Sequence, residues 1–208
     1  MLRPLPLLGF AVVTSFLLFA TSVVAPVALA QKQKPLALLL PGAGGIVPID
    51  FLVRNQKRIE NAGIDTYLTT SSSQAVSMAR SESAKGRKVV VVGMSQGGRR
   101  AAEAIAAGAP MAGVVFVAAP LRLVTSTIGS SARLPAVLVV HHRRDGCGKT
   151  LPDGVGHFQK WAGGKARVRW IDTTGSEAPN PCGPRGAHGF YQQDGPAVSA
   201  IIEFVRSR

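Results

Sequence analysis

The sequence predicts an α/β domain built on a doubly wound, mostly parallel sheet, and three observations support that fold class. The expected strands are continuous apolar runs, such as the four valines at 89–92, which is typical of strands covered by helices on both faces. Segments with helical periodicity alternate with these runs along the chain. The chain has 208 residues, of which 46% are hydrophobic, and this is enough for one domain with a substantial core.

The order of elements follows from the apolar runs and the residues that interrupt them. Gly63 ends the first helix, and Asp194 precedes the last helix in a position to help cap it. Between two late strands lie only positions 120–135, which predict a short flap. The expected strands are 36–40, 66–70, 88–92, 113–119, 136–140 and 167–172, and the expected helices are 51–63, 73–86, 98–108, 155–164 and 196–205.

The N-terminal segment differs from the rest of the chain and predicts a signal peptide at residues 1–30. It carries one charge, Arg3, ahead of a long apolar run, and it ends in Ala28-Leu29-Ala30, a small-x-small pattern that signal peptidase accepts. We expect cleavage after Ala30, which leaves one mature domain, 31–208, in the periplasm or the medium. The alternative is an uncleaved membrane anchor, because the apolar run is long enough to span a bilayer.

The charge balance bears on the partners of the protein. Lys and Arg number 24 against 11 Asp and Glu, for a formal net charge of +13. The basic residues are scattered without interleaved aromatic residues, and no nucleic-acid-binding module is recognisable. We therefore expect no nucleic-acid partner, a weak electrostatic association with an anionic envelope at most, and a monomer.

The two cysteines, Cys147 and Cys182, are few enough to admit two interpretations. A single disulfide fits an exported protein, and the alternative is a pair of free thiols. A metal site is not expected, since the stretch "HHRRDGC" lacks a second Cys or His cluster to complete one.

The stretch "GMSQGG" at 93–98 places one serine between a buried strand and an alanine-rich helix. A nucleophile on such a sharp turn needs strained backbone angles, and Gly93 and Gly97 carry no side chains to clash there. Gly98 allows the helix to lie close to the strand, and the helix N-terminus offers free N–H groups and a positive dipole to an oxyanion. The alternative is an ordinary glycine-rich turn. A phosphate-binding loop is not indicated, because neither Gly-Lys-Ser/Thr nor Gly-x-Gly-x-x-Gly is present.

A serine nucleophile needs a base, and the base needs an acid to orient it. Asp145 comes just beyond strand 136–140, and His188 lies in the loop before the last helix. The order Ser95, Asp145, His188, with the motifs "GMSQGG" and "HGF", resembles the alpha/beta-hydrolase superfamily, as a small secreted serine esterase-like member. The resemblance extends over nearly all of the mature chain through the order of its elements.

This resemblance implies a minimal alpha/beta-hydrolase fold without a lid domain, and no cofactor. Ser95 would be the nucleophile, His188 the general base and Asp145 the orienting acid. The oxyanion hole would use the backbone N–H groups of Gln96 and Ala43, with Gly42 and Gly44 as alternatives to Ala43.

Other polar residues near the expected site have weaker claims. Asp172 is the second candidate for the acid, and Asp50 and Asp65 lie too early in the chain for that role. The remaining candidates have the following expected places: His141 and His142 line the site or pack against it, His157 is a surface or core residue, Arg143 and Arg144 pair with carboxylates rather than with substrate, and Arg54 and Asn55 are solvated, with a substrate role as the alternative.

These residues predict a secreted serine hydrolase that cleaves a small carboxylic ester or thioester through an acyl-enzyme. Two alternatives stay open. One is a non-catalytic exported binding protein on the same scaffold, because a fold does not fix a function. The other is a peptidase or amidase, which uses the same residue types.

Overall fold

The computed structural model describes residues 33–173 and 178–208. Six parallel strands form one sheet in the order β2-β1-β3-β4-β5-β6, which confirms the predicted fold class. The strands are β1 (Leu36–Leu40), β2 (Asp65–Leu68), β3 (Val89–Met94), β4 (Gly113–Val117), β5 (Ala136–His142) and β6 (Ala166–Ile171). The helices are α1 (Phe51–Asn61), α2 (Ser72–Ala84), α3 (Gln96–Ala106), α4 (Leu121–Ile128), α5 (Asp153–Trp161) and α6 (Asp194–Arg206).

The helices cover both faces of the sheet, and the alternation of side chains in each strand divides the core in two. Val89 and Val91 of β3 pack with residues of α2, α3, α4 and α5 on one face. Val90 and Val92 pack with residues of α1 and α6 on the other face. All four valines are buried, as the continuous apolar run predicts for a central parallel strand.

The strand order determines where a cleft can open at the edge of the sheet. From β1 the chain crosses to β2 at one edge, whereas β3, β4, β5 and β6 follow one another toward the other edge. The connections therefore diverge between β1 and β3, and in parallel sheets a cleft opens at such a switch point, beyond the carboxyl ends of the strands. The turn 41–50 leaves β1 there, and Ser95 follows β3.

The segment 120–135 is the main departure from the predicted elements. It forms α4 and a short 3₁₀ turn, Ser131–Arg133, rather than a flap. Leu121, Val124 and Ile128 are buried in the same core cluster as residues of α3 and α5, because their spacing of three and four residues puts them on one helix face. The expectation of a flap is therefore wrong, and the segment is part of the sheet's cover.

No helix within 33–173 or 178–208 has the length and apolarity needed to cross a membrane. The predicted signal peptide and its cleavage after Ala30 lie outside the described residues.

We predict that α4 contributes to stability as a core helix. Ile128→Ala should lower the free energy of unfolding by about 2–5 kcal/mol, since a buried side chain is lost and a cavity remains. Leu123→Ala on the exposed side of the same helix should change it by less than about 0.5 kcal/mol. Urea denaturation of both variants checks this, and an equally small effect at the two positions would show that the segment is a loose flap.

Candidate active site

The turn after β3 holds Ser95 in a strained backbone conformation. Its φ is 49° and its ψ is −116°, a region that non-glycine residues rarely adopt at a cost of about 1–3 kcal/mol. Two hydrogen bonds fix the turn: the Ser95 N–H donates to the Val117 carbonyl at 2.8 Å, and the Gly98 N–H donates to the Ser95 carbonyl at 2.8 Å. The side chain is half-buried and stands between the end of β3 and the start of α3.

Three glycines around Ser95 lack the space for any side chain. A Cβ on Gly93 would lie 2.5 Å from the Gly97 carbonyl oxygen. A Cβ on Gly97 would overlap the Leu40 carbonyl at the end of β1, and one on Gly98 would overlap the Ala119 side chain. These overlaps confirm that the glycines of the motif permit the close approach of α3 to β1, β3 and β4.

Asp145 and His188, which lie far apart in the sequence, meet in a buried hydrogen bond. The His188 Nδ1–H donates to Asp145 Oδ2 at 2.9 Å, and the two residues are 3% and 2% exposed. Asp172, the second candidate for the acid, has a side chain that is 63% exposed and lies 3.7 Å from the Arg143 guanidinium. The structure therefore pairs the histidine with Asp145.

Two further donors bond to the Asp145 carboxylate. Oδ1 accepts the Cys147 N–H at 3.0 Å, and Oδ2 accepts the Thr150 hydroxyl at 2.9 Å. The Thr150 oxygen also lies 3.1 Å from His188 Nδ1, so this threonine touches both the acid and the base. Sequence reasoning missed Thr150, because a threonine five residues after an aspartate carries no periodicity or motif that distinguishes it.

Two further histidines, at the end of β5, are buried. His141 Nε2–H donates to the Thr150 carbonyl at 2.7 Å, and His142 Nε2–H donates to the Thr173 carbonyl at 3.2 Å. Burial lowers the pKa of both histidines below the ordinary value of 6.5, and for His141 the nearby Asp145 carboxylate opposes the shift. Both pack around the site, as predicted, whereas His157 is exposed on α5. Within the described ranges, no three His, Cys, Asp or Glu side chains are grouped to hold a metal ion.

Asp50 shapes the turn after β1. Its early position in the chain had ruled it out as the acid. Asp50 caps α1 by accepting the Leu52 N–H at 2.8 Å, and its other oxygen accepts the Gly42 N–H at 2.9 Å. The Gly42 N–H is thus occupied. Among the hydrogen bonds between described residues, none uses the N–H of Ala43 or Gly44, and both residues are exposed.

A cavity of about 140 Å³ brings these parts together. Ser95 and His188 both line it, and Asp145 lies behind His188. The walls come from the turn after β1, the end of β3 and the loop before α6, and they consist of Gly42, Ala43, Gly44, Val47, Ile49, Asp50, Phe51, Met94, Ser95, Cys182, Pro184, His188 and Gly189.

A disulfide joins Cys147 to Cys182, which confirms the disulfide and excludes the pair of free thiols. It connects the loop of Asp145 to the loop that leads to His188. Cys147 also donates its N–H to Asp145, and Cys182 lines the cavity. The bond therefore restrains the two loops whose side chains Asp145 and His188 are hydrogen-bonded.

Four expectations about charged and polar residues, at Arg54, Asn55, Asp194 and Arg144, are wrong. Arg54 and Asn55 are not solvated: the Arg54 side chain is 15% exposed, and Asn55 is buried and donates to the Phe51 carbonyl at 2.9 Å. Asp194 does not cap α6, because its carboxylate accepts hydrogen bonds from Arg54 instead. Arg143 pairs with Asp172, whereas Arg144 donates to the Thr173 carbonyl rather than to a carboxylate.

Comparisons with known proteins identify the fold. The sequence matches no protein-family model and no curated protein sequence. The structure is similar to the esterase domain of a Rhodothermus marinus protein (TM-score 0.62, 10% identity, 86% of this chain and 89% of that chain). It also resembles a soluble variant of monoglyceride lipase from Saccharomyces cerevisiae (TM-score 0.61, 10% identity, 84% of this chain and 87% of that chain). An alpha/beta hydrolase from a lagoon-sediment metagenome is likewise similar (TM-score 0.57, 13% identity, 86% of this chain and 93% of that chain). The chain has the alpha/beta-hydrolase fold.

The lowered pKa of His141 and of His142 predicts that acid destabilises the protein. The unfolded chain binds protons at both rings below about pH 6.5, whereas the folded protein does not until a lower pH. The free energy of unfolding should thus be highest above pH 6.5 and fall as the pH decreases, by up to about 1.4 kcal/mol per pH unit for each ring. Urea denaturation between about pH 7.5 and pH 5 measures this slope.

His141→Gln is the matched variant, because its amide can still donate to the Thr150 carbonyl but cannot be protonated. It should show a smaller slope than the wild type. An identical slope in the two proteins would contradict the assignment to His141.

Proposed function

We propose that this chain, which has the alpha/beta-hydrolase fold, is a serine hydrolase that cleaves a carboxylic ester or thioester through an acyl-enzyme. The observation that carries the proposal is one cavity lined by both Ser95 and His188, with His188 hydrogen-bonded to the buried Asp145 at 2.9 Å. The strained φ of Ser95 supports it, since such strain persists where the surrounding structure imposes it and it concentrates at functional sites.

His188 is suited to act as the general base. Its Nδ1–H is committed to Asp145, which fixes the tautomer and leaves Nε2 as the basic nitrogen. As Ser95 Oγ attacks the substrate carbonyl carbon, His188 Nε2 takes the hydroxyl proton. The Asp145 carboxylate then stabilises the imidazolium that forms, because the two groups are buried together and hydrogen-bonded.

The tetrahedral intermediate carries a negative oxygen, and two backbone N–H groups are suited to bind it. Gln96 is the first residue of α3, so its N–H has no carbonyl of its own helix to bond and lies at the positive end of the helix dipole. Ala43 is the proposed second donor and Gly44 the alternative, since neither N–H is used among the described residues, whereas the Gly42 N–H is occupied by Asp50. Loss of one such donor typically costs about 3–4 kcal/mol of transition-state stabilisation.

The intermediate collapses when His188 returns the proton to the leaving alcohol or thiol, and the acyl group remains on Ser95. Water then attacks the acyl-enzyme by the same route, with His188 again as the base, and releases the carboxylic acid. No step needs a cofactor, because every proton is carried by His188 and the charge is stabilised by backbone donors.

The cavity favours esters of small acyl groups. Its volume of about 140 Å³ is close to the roughly 150 Å³ that accommodates benzene in an apolar cavity. Val47, Ile49, Phe51 and Met94 supply an apolar wall, which suits a hydrocarbon chain. Two of the structurally similar proteins are named as an esterase domain and a monoglyceride lipase, which supports ester rather than amide chemistry. The disulfide and the predicted signal peptide support a site of action outside the cytoplasm.

We predict that Ser95→Ala abolishes hydrolysis of short-chain esters such as p-nitrophenyl acetate while leaving the fold intact. The Ser95 hydroxyl is the proposed nucleophile, and its loss leaves only the residual catalysis of the oxyanion hole, about 10³–10⁴-fold over water. Steady-state kinetics measures the rate, and fluorophosphonate labelling followed by peptide mapping tests the nucleophile directly. Ser126→Ala, at an exposed serine of α4, is the control.

A wild-type protein that neither hydrolyses these esters nor reacts with the fluorophosphonate would refute the proposal and favour a non-catalytic binding protein. Labelling without ester turnover, joined to turnover of an amide panel, would assign a peptidase or amidase.

We predict that the two candidate acids respond differently to the same chemical change. Asp145→Asn removes the carboxylate that fixes the His188 tautomer, and it should lower kcat by about 10⁴-fold. Asp172→Asn affects only an exposed side chain beside Arg143 and should leave kcat within about twofold. The same steady-state assay checks both, and the reverse ranking would move the acid to Asp172.

A further inference from the structure

We propose that Arg54 is a positioning residue that clamps the loop of His188 to the turn that carries the proposed oxyanion donor Ala43. This inference rests on the proposed function, because it assigns Arg54 a part in holding the base of that reaction. Arg54 lies in α1, 134 positions before His188, and no sequence pattern connects the two residues.

The guanidinium of Arg54 bonds to both sides of the site at once. Nη1 donates to the Ile49 carbonyl at 2.6 Å, in the turn that also contains Gly42 and Ala43. Nη2 donates to the carbonyl of Gly189, the residue directly after His188, at 2.5 Å. Nε and Nη2 donate to the Asp194 carboxylate at 3.1 and 2.6 Å. One side chain therefore connects the turn after β1, the loop that carries His188 (the base loop) and the start of α6.

The base loop needs such an external restraint because its own backbone is strained. Phe190 and Gln192 have φ values of 55° and 61°, which cost non-glycine residues about 1–3 kcal/mol each and persist only where neighbouring structure imposes them. A Cβ on Gly189 would overlap the Pro184 carbonyl, so the loop is also tightly folded on itself. The Phe190 ring packs against Phe51 of α1 at 5.1 Å between centroids.

The contacts of Arg54 require a guanidinium rather than any positive charge. The side chains of Arg54 and Asp194 are 15% and 19% exposed, and the guanidinium lies 5.5 Å from the Phe51 ring centroid and 5.8 Å from that of Tyr191. A planar fork can serve two carbonyls and a carboxylate in fixed directions, whereas a lysine ammonium is a single point charge on a flexible stem. Arg54→Lys thus keeps the charge and removes the geometry.

Arg87 provides a matched control elsewhere in the fold. Its side chain is 16% exposed and pairs with Glu82 and Asp65, and its Nε donates to the Lys34 carbonyl at 2.8 Å. Asp65 begins β2 and Lys34 precedes β1, so this cluster lies at the amino ends of the strands, opposite the cavity. Loss of either arginine removes a partly buried ion-pair cluster, but only Arg54 contacts the site.

The experiment compares Arg54→Lys and Arg54→Met with Arg87→Lys and Arg87→Met. Steady-state hydrolysis of p-nitrophenyl acetate gives kcat and KM, urea denaturation gives stability, and ¹H NMR follows the downfield Nδ1–H resonance of His188, which His188→Gln identifies by its disappearance. Because Arg54→Met leaves a carboxylate unpaired, the double variant with Asp194→Asn is included to preserve folding.

Displacement of the base predicts a loss in kcat rather than in KM. We expect kcat to fall about tenfold in Arg54→Lys and about a hundredfold in Arg54→Met, with or without Asp194→Asn, since small misplacements of catalytic groups have effects of that size. KM should change by less than about twofold, because substrate contacts are retained. The His188 resonance should weaken in the Arg54 variants and persist in the Arg87 variants, which lose stability alone.

The clamp is refuted if the double variant keeps the wild-type kcat and the His188 resonance. It is equally refuted if the Arg87 variants lose kcat as much as the Arg54 variants at the same loss of stability. If the wild type neither hydrolyses esters nor labels at Ser95, the proposed function fails, and the resonance in the Arg54 and Arg87 variants then decides the clamp by itself.

Discussion

The candidate site depends on one buried carboxylate, Asp145, at the end of β5. A buried charge is costly unless it is hydrogen-bonded, and Asp145 accepts hydrogen bonds from the Cys147 N–H, the Thr150 hydroxyl and the His188 ring. Cys147 and Thr150 lie in the loop after β5, and His188 lies in the loop before α6. These hydrogen bonds therefore hold the loop after β5 together and join it to the loop that carries His188.

The second constraint is the close approach of α3 to the sheet. The absent side chains of Gly97 and Gly98 let α3 contact the ends of β1 and β4, and the strained Ser95 then stands where those strands end. Because β1 and β3 are neighbours at the switch point of the sheet, the turn that carries Ala43 arrives beside Ser95. The proposed nucleophile and the proposed oxyanion donors are thus brought together by strand order and glycine packing rather than by flexible side chains.

His188, the proposed base, lies in the loop before α6, and contacts from outside that loop restrain it. The disulfide attaches it to the acid loop on one side, through Cys182, and Arg54 attaches it to the turn after β1 on the other, through Gly189. The loop that carries His188 is therefore held from both sides of the cavity. These two restraints explain how His188, which is 3% exposed, is kept in a defined position although it lies in a loop.

The sequence by itself determined the features that depend on neighbouring residues. Continuous apolar runs specified buried parallel strands, and "GMSQGG" predicted the turn at Ser95 because glycine spacing is a local requirement of that geometry. Asp145 and His188 could be proposed as its partners from their positions after predicted strands and their order in the chain. The short helix α4 was missed, since three buried residues in eight give a weak periodic signal. Only the tertiary structure decided which carboxylate faces His188, that Thr150 joins the acid to the base, and that Arg54 reaches Gly189 and Asp194, 135 and 140 positions away. Those contacts arise from strand register and helix packing, which place side chains together without leaving any pattern in the intervening sequence.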